Sequence, residues 1–282
     1  MELIKTIAEM QRFSKSAAKH GKKIGVVPTM GYLHDGHVSL IKQARELSDV
    51  VIVTIFVNPA QFGPNEDLDK YPRDFERDWM LCEQNGADAV FAPAADEMYC
   101  PDRSTWVIEE KLSQGLCGKS RPVHFRGVTT VVAKLFNATL PDVAVFGQKD
   151  AQQAMIIKRM TRDLNFPVEI VVAPIVREAD GLAMSSRNKY LSADERKRAL
   201  AISAALRDAE QMLKAESRRA LDCIAQQIIE KIAATGGKID YVEILDAETL
   251  ESVSAATRTV LIAVAALFGA TRLIDNVLIN LD

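Results

Sequence analysis

A chain of 282 residues with 48% hydrophobic and 26% charged positions, 14 Gly and 10 Pro can bury a sizeable core in one large or two modest domains. That composition excludes a small disulfide- or metal-stapled scaffold, a disordered polymer and a collagen-like repeat. Against 38 acidic residues stand 35 basic ones, a formal net charge of −3, so no global field draws the chain to nucleic acid or an anionic membrane and any anionic substrate must be met locally.

The opening segment MELIKTIAEMQRFSKS carries Glu2 and Glu9 and no continuous apolar run before a cleavage site, so no signal peptide is expected. Strand-like and amphipathic helical runs then alternate to about residue 175, the pattern of βαβ units and a mostly parallel sheet. The runs IGVVPT from Ile24, VVIVTIFVN from Val50, DAVFAP from Asp88, DVAVFG from Asp142 and VEIVVAP from Val168 are nearly continuous apolar segments, as strands covered on both faces must be. Between them lie helices beginning near His37, Asp74 and Ala151. From Ser192 a Ser N-cap and first-turn acids open a long Ala-rich helix. A second helix over Leu221 to Ala234, a Gly236-Gly237 stop and the runs KIDYVEIL, TVLIAVAALF and RLIDNVLI follow, which reads as a smaller α+β domain.

The longest apolar stretch, Val260 to Ala270, is closed by Arg258 and Arg272 and is too short to span a bilayer. Cys82, Cys100, Cys117 and Cys223 form no C-x-x-C pair and no zinc spacing with His. They are expected as small buried apolar side chains of a reduced, cytoplasmic protein.

Four segments carry candidate chemistry. V-P-T-M-G-Y-L-H-D-G-H, Val27 to His37, directly follows a strand, where a phosphate-binding turn belongs. Gly31 shapes the turn, Gly36 removes side-chain bulk, and a helix starting near Asp35 would aim free N–H groups and its positive dipole end at a phosphate. His34 and His37, three apart, would then project to one side as donors to a polyphosphate; the alternatives are ordinary surface or core histidines, or half a metal site. I-F-V-N-P-A-Q-F, with Asn58 and Gln61 beside Phe56 and Phe62, suits a small substrate bearing hydroxyl or carboxylate groups on an apolar body, or is simply a polar loop. In V-F-G-Q-K-D-A-Q-Q, Lys149 is a point charge suited to phosphate, while Asp150 is a helix cap or a metal-linked acid. V-R-E-A-D-G-L-A-M-S-S-R-N offers the hydroxyls of Ser185 and Ser186, backbone amides and the fixed cation of Arg187, which together can fold over a triphosphate and offset charge on a leaving pyrophosphate, or it is simply a solvated helix entry. Arg121, His124 and Arg126 are expected to add positive charge to the same edge.

The H-D-G-H turn with the late M-S-S-R resembles the paired nucleotide signatures of the class I aminoacyl-tRNA synthetase-like nucleotidyltransferase superfamily. P-T-M-G-Y-L-H-D-G-H, F-V-N-P-A-Q-F, F-G-Q-K-D-A-Q-Q and R-E-A-D-G-L-A-M-S-S-R-N, in this order, are similar to the motifs of the pantoate–β-alanine ligase family across essentially the whole chain. The resemblance implies a Rossmann-like parallel-sheet domain over 1–176, a smaller α+β lid domain over 177–282, a cytoplasmic homodimer, and Mg2+ with ATP as substrate. It implies an amide-forming ligation of (R)-pantoate and β-alanine through an acyl adenylate, with no nucleic-acid or membrane partner. Carried over residue by residue, His37 is the proton donor and His34 its partner, with Lys149 and Arg187 as catalytic cations. Met30, Gly31, Tyr32, Leu33, His34, Asp35, Gly36, His37, Gly147, Gln148, Lys149, Asp150, Val176, Met184, Ser185, Ser186 and Arg187 correspond to ATP contacts. Gln61 and Gln153 correspond to pantoate ligands, Gln61 also to the β-alanine site. Another H-x-G-H nucleotidyltransferase and a non-catalytic nucleotide-binding regulator are the competing readings.

Overall fold

The computed structural model describes residues 1–64, 66–216 and 221–281. In chain order the elements are β1 (Glu2–Ile4), α1 (Ile7–Lys19), β2 (Ile24–Thr29), α2 (Asp35–Leu47), β3 (Val50–Ile55), α3 (Phe75–Gln84) and β4 (Ala89–Phe91). There follow α4 (Ala95–Met98), α5 (Leu116–Ser120), α6 (His124–Thr139), β5 (Val143–Gly147), α7 (Ala151–Asp163) and β6 (Glu169–Ala173). The remainder comprises α8 (Ala193–Glu216), α9 (Leu221–Ala233), β7 (Lys238–Asp246), β8 (Thr259–Phe268) and β9 (Thr271–Asn280). They divide into two compact units, Met1–Gln148 with Gln152–Pro174, and Lys149–Ala151 with Ile175–Asp282.

The first unit is a six-stranded, all-parallel sheet in the order β1-β4-β3-β2-β5-β6, a Rossmann-like α/β arrangement. The apolar runs of the central strands become strands because both faces are covered: Val51, Ile52 and Val53 of β3 and Val143, Ala144 and Val145 of β5 have no exposed surface. Each such Val or Ile stabilises the fold by about 1.5–3 kcal/mol relative to exposure. One core cluster joins Val27, Val51, Val53, Val90, Val143 and Val145 to Leu40, Ile41 and Ala44 of α2, and it includes Leu33 of the turn between β2 and α2. The chain builds β2, β3, β4 and β1 to one side and then returns to lay β5 and β6 on the other. The order therefore reverses between β2 and β5, the place where open parallel sheets leave a crevice at their carboxyl ends.

The second unit packs α8 and α9 on the antiparallel sheet β7-β8-β9, as an α+β domain. Ile202, Leu206, Ile224 and Ile228 of the helices meet Val260, Ile262, Val264 and Phe268 of β8. Ser192 caps α8 as expected: its hydroxyl accepts from the Glu195 amide at 3.3 Å, and Glu195 returns a bond to the Ser192 amide at 2.8 Å.

One expectation needs correction. Cys82 and Cys117 are buried, but Cys100 and Cys223 are exposed, because they fall in a loop and on the outer side of α9. The segment read only for targeting signals forms β1 and α1; Thr6 caps α1 by accepting from the Glu9 amide. No helix among the described residues is long and apolar enough to cross a membrane.

Candidate active site

In the first unit the turn after β2 is built by backbone geometry. Thr29 Oγ1 donates to the Thr54 carbonyl at 2.7 Å and accepts from the Gly31 amide at 3.1 Å, which bends the chain out of the sheet. Gly31 and Tyr32 then adopt left-handed backbone, φ +81° and +50°. The amides of Tyr32 and Leu33 donate to the two oxygens of Asp78 on α3, at 2.7 and 2.6 Å. Leu33 is wholly buried, which pins the turn to the core.

α2 starts at Asp35, as the spacing predicts, with His34 as its N-cap. The His34 amide donates to His37 Nδ1 at 3.3 Å, and the two ring centroids lie 4.1 Å apart. Because Nδ1 accepts, a neutral His37 ring carries its proton on Nε2.

The loop after β3 is brought beside this turn: Gln61 Nε2 lies 3.1 Å from Met30 Sδ. The Gln61 amide has a defined polarity. Asn58 accepts at Oδ1 from the Ala60 amide (3.2 Å) and the Tyr99 hydroxyl (2.8 Å), and donates from Nδ2 to the Gly127 carbonyl and to Gln61 Oε1, both at 3.0 Å. The Ala60 amide can only donate and the Gly127 carbonyl can only accept, so Asn58 has one orientation and Gln61 presents an N–H donor. Burial, opposed by the nearby Arg103 charge, pushes the Tyr99 hydroxyl up to about 12, so it stays protonated as the donor that starts the chain. Asn58 is 1% exposed and is engaged on both ends of its amide; it positions Gln61 and offers nothing to a ligand.

Of the expected cationic edge at Arg121, His124 and Arg126, the contribution of Arg121 is corrected. Arg121 forms a two-pronged ion pair with Glu66, Nε to Oε1 at 2.8 Å, and its Nη1 lies 3.2 Å from His124 Nε2. Arg126 stacks over the Trp106 ring at 4.3 Å. The Arg121 charge is thus balanced within the protein. Burial raises the Glu66 carboxyl, but the bond and charge of Arg121 outweigh it and hold it below its ordinary value.

β5 lies parallel beside β2, pairing Gly25 with Val143 and Val26 with Ala144, so its carboxyl end at Gly147 emerges next to the end of β2. Gln148 to Asp150 form a short 3-10 turn leading into α7. Gln152 is buried and tied to the Cys117 amide and the carbonyls of Leu112 and Gly115, so it holds the loop before α5 and the start of that helix. Gln153, next on α7, is half-buried and its side chain makes no hydrogen bond to the described residues.

In the second unit Lys149 Nζ lies 3.1 Å from Asp150 Oδ2, and the Lys149 carbonyl accepts from Asn276 Nδ2 at 3.0 Å. The Met184 amide donates to the Val176 carbonyl, closing the turn that carries M-S-S-R. Ser185 caps the following 3-10 turn by accepting from the Arg187 amide at 3.2 Å. Asn188 is buried and donates to Glu178 and to the Ala183 carbonyl, so it braces the turn. Arg177 is held by the buried Asp275 through bonds of 2.7 and 3.0 Å.

Sequence reasoning missed Asp78, Tyr99, Asp275 and Asn276. Two signals existed: Asp78 falls one helical turn before the buried Cys82 on the inward face of α3, and Asp275-Asn276 interrupts an otherwise apolar strand.

The sequence model of the family described as pantoate-beta-alanine ligase matches residues 2–278. The chain is 55% identical over 281 residues to the pantothenate synthetase of Thermotoga petrophila, covering 99% of this chain and 100% of that one. It is 54% identical over 284 residues to that of Moorella thermoacetica, covering both chains in full. The crystal structure of pantothenate synthetase from Thermus thermophilus superposes with a TM-score of 0.91 at 43% identity over 98% of this chain and 99% of that one. That of the Francisella tularensis pantoate-beta-alanine ligase, complexed with beta-gamma ATP and beta-alanine, gives 0.82 at 35% identity over 99% and 97%. With the sheet order, the turn after β2 and matches running from end to end in agreement, the chain belongs to the pantoate–β-alanine ligase family.

Proposed function

We propose that this chain joins (R)-pantoate to β-alanine at the expense of ATP, in two half-reactions at the carboxyl ends of β2, β3 and β5. A pantoate carboxylate oxygen attacks the α-phosphorus and pyrophosphate leaves. The β-alanine nitrogen then attacks the acyl carbon of the pantoyl adenylate, loses a proton and expels AMP. The observation that carries this reading is the parallel pairing of β2 with β5 at the reversal of strand order, which sets the H-D-G-H turn beside the F-G-Q end of β5.

A carboxylate attacking a polyanion is repelled, so the protein's task is positioning and charge neutralisation. Lys149 and Arg187 act on the phosphates, and His37 donates from Nε2 to the departing oxygen with His34 beside it. The N–H of Gln61, with Gln153, holds the hydroxyl and carboxylate oxygens of pantoate, and Gln61 also borders the β-alanine site. The backbone of Met30 to His37, Gly147 to Asp150, Val176 and Met184 to Arg187 lines the nucleotide. Magnesium enters with ATP as part of the substrate. The working form is a cytoplasmic homodimer.

Incubation of the purified protein with ATP, Mg2+, D-pantoate and β-alanine should release AMP and pantothenate in equal amounts. ADP in place of AMP, or AMP release independent of pantoate, would overturn the reading.

A further inference from the structure

The turn between β2 and α2 is gripped from outside its own motif by two neighbouring residues of α3. Asp78 is 1% exposed, and its two oxygens accept from the consecutive amides of Tyr32 and Leu33. The Arg77 guanidinium lies over the Tyr32 ring, 5.4 Å from its centroid. A Cβ on Gly31 would stand 2.9 Å from Asp78 Oδ2, so the carboxylate fills the hollow that the left-handed Gly31-Tyr32 backbone opens. Successive backbone amides converging in such a turn make an anion-binding concavity. Here the anion is supplied by the protein.

That occupancy divides the donors of the turn. Tyr32 and Leu33 have their amides committed to Asp78, and those of His37 and Val38 donate to the His34 carbonyl. In the first turn of α2 the amides of Asp35 and Gly36 meet no acceptor among the described residues. From this geometry we infer that Asp78 is a positioning residue for the nucleotide: by holding the Tyr32 and Leu33 amides it aims the Asp35 and Gly36 amides and the two imidazoles at the phosphates. The inference rests on the nucleotide reading of this turn given above. It excludes the Tyr32 and Leu33 amides as phosphate donors and leaves those residues to contact ATP by other atoms.

Asp78→Asn keeps the size of the side chain but replaces one acceptor by a donor facing an amide. The measurements are titration with a non-hydrolysable β,γ-substituted ATP analogue, separate titration with pantoate, the unfolding midpoint, and the amide-proton resonances of Tyr32 and Leu33. We expect the analogue's Kd to rise about tenfold or more, pantoate affinity to change by less than about twofold, and both resonances to move upfield as the carboxylate is lost. A folded variant with unchanged analogue affinity would overturn the inference. If Asp78→Asn does not fold, Gly31→Ala displaces the turn from the intact carboxylate and must show the same selective loss of nucleotide affinity; unchanged affinity there overturns it equally. His37→Gln separates the two levels. If it weakens analogue binding while Asp78→Asn does not, the positioning role alone fails; if neither does, the turn is not the nucleotide site and the functional reading fails with it.

Discussion

Lys149 reaches Asp150 at 3.1 Å with the carboxylate half-exposed, a pairing worth under about 1 kcal/mol. A polyphosphate can therefore take the ammonium over at little cost. Lys149→Ala and Arg187→Ala should each slow pyrophosphate–ATP exchange on the order of a hundredfold, with the pantoate KM shifted by less than about threefold. Single-turnover rates near wild type in both variants would remove these cations from the mechanism. Two acids, the buried Asp78 and the half-buried Glu66, should respond to pH with opposite sign. Burial raises the Asp78 carboxyl against the lowering bonds from Leu33 and Tyr32, so its charge weakens the fold as pH rises from the ordinary aspartate value through the raised one. Glu66 is lowered, so its pairing with Arg121 strengthens the fold above the ordinary glutamate value and is lost as pH falls through the lowered one. In urea melts the stability advantage of wild type over Glu66→Gln should shrink on acidification, whereas the balance between wild type and Asp78→Asn should move toward wild type; parallel behaviour of the two variants would contradict this. His34, His37, Lys149 and Arg187 could be singled out because each sits in a short motif. Asp78 and Tyr99 act across 46 and 41 residues of sequence, and Asn276 across 127, where no local pattern reports the contact.

α6 approaches the loop after β3 so closely that a Cβ on Gly127 would stand 2.3 Å from the Ala60 carbonyl oxygen and 2.5 Å from the Gln61 Cα. Both obstacles are backbone, so neither can swing aside. Gly127→Ala should destabilise the protein by about 1–3 kcal/mol and raise the pantoate KM more than that of ATP, because the displaced element carries Gln61. An unchanged pantoate KM in the folded variant would count against Gln61 as a ligand. The central strands were readable from their continuous apolar runs, whereas β1 has three residues and pairs only with β4 at the sheet edge. α1 buries only Met10 and Ser14, and Ser14 is held by a hydrogen bond to the Thr139 carbonyl rather than by apolar contact, so its inward face carries little hydrophobic signal. Elements fixed by long-range polar contacts are the ones a periodicity reading passes over.

For the whole molecule, activation before amide formation predicts pyrophosphate–ATP exchange with pantoate present and β-alanine absent. Exchange that requires β-alanine would rule out a separate adenylate. By compactness Lys149 groups with Arg187 in the second unit, while the histidines, Gln61 and Gln153 fall in the first; the placing of Lys149 is the part that the order of motifs along the chain does not reveal. The pairing of β2 with β5 also has a temporal side. The Ile24 amide bonds Asp142 across 118 residues, so at roughly 5–20 residues per second of synthesis the turn after β2 exists on the order of ten seconds before the strand beside it. Over that interval one edge of β2 has no partner, and closing so long a loop is slow relative to forming the helices on either side. In refolding from denaturant, nucleotide affinity should return only with the slowest phase, after the far-ultraviolet helical signal has recovered.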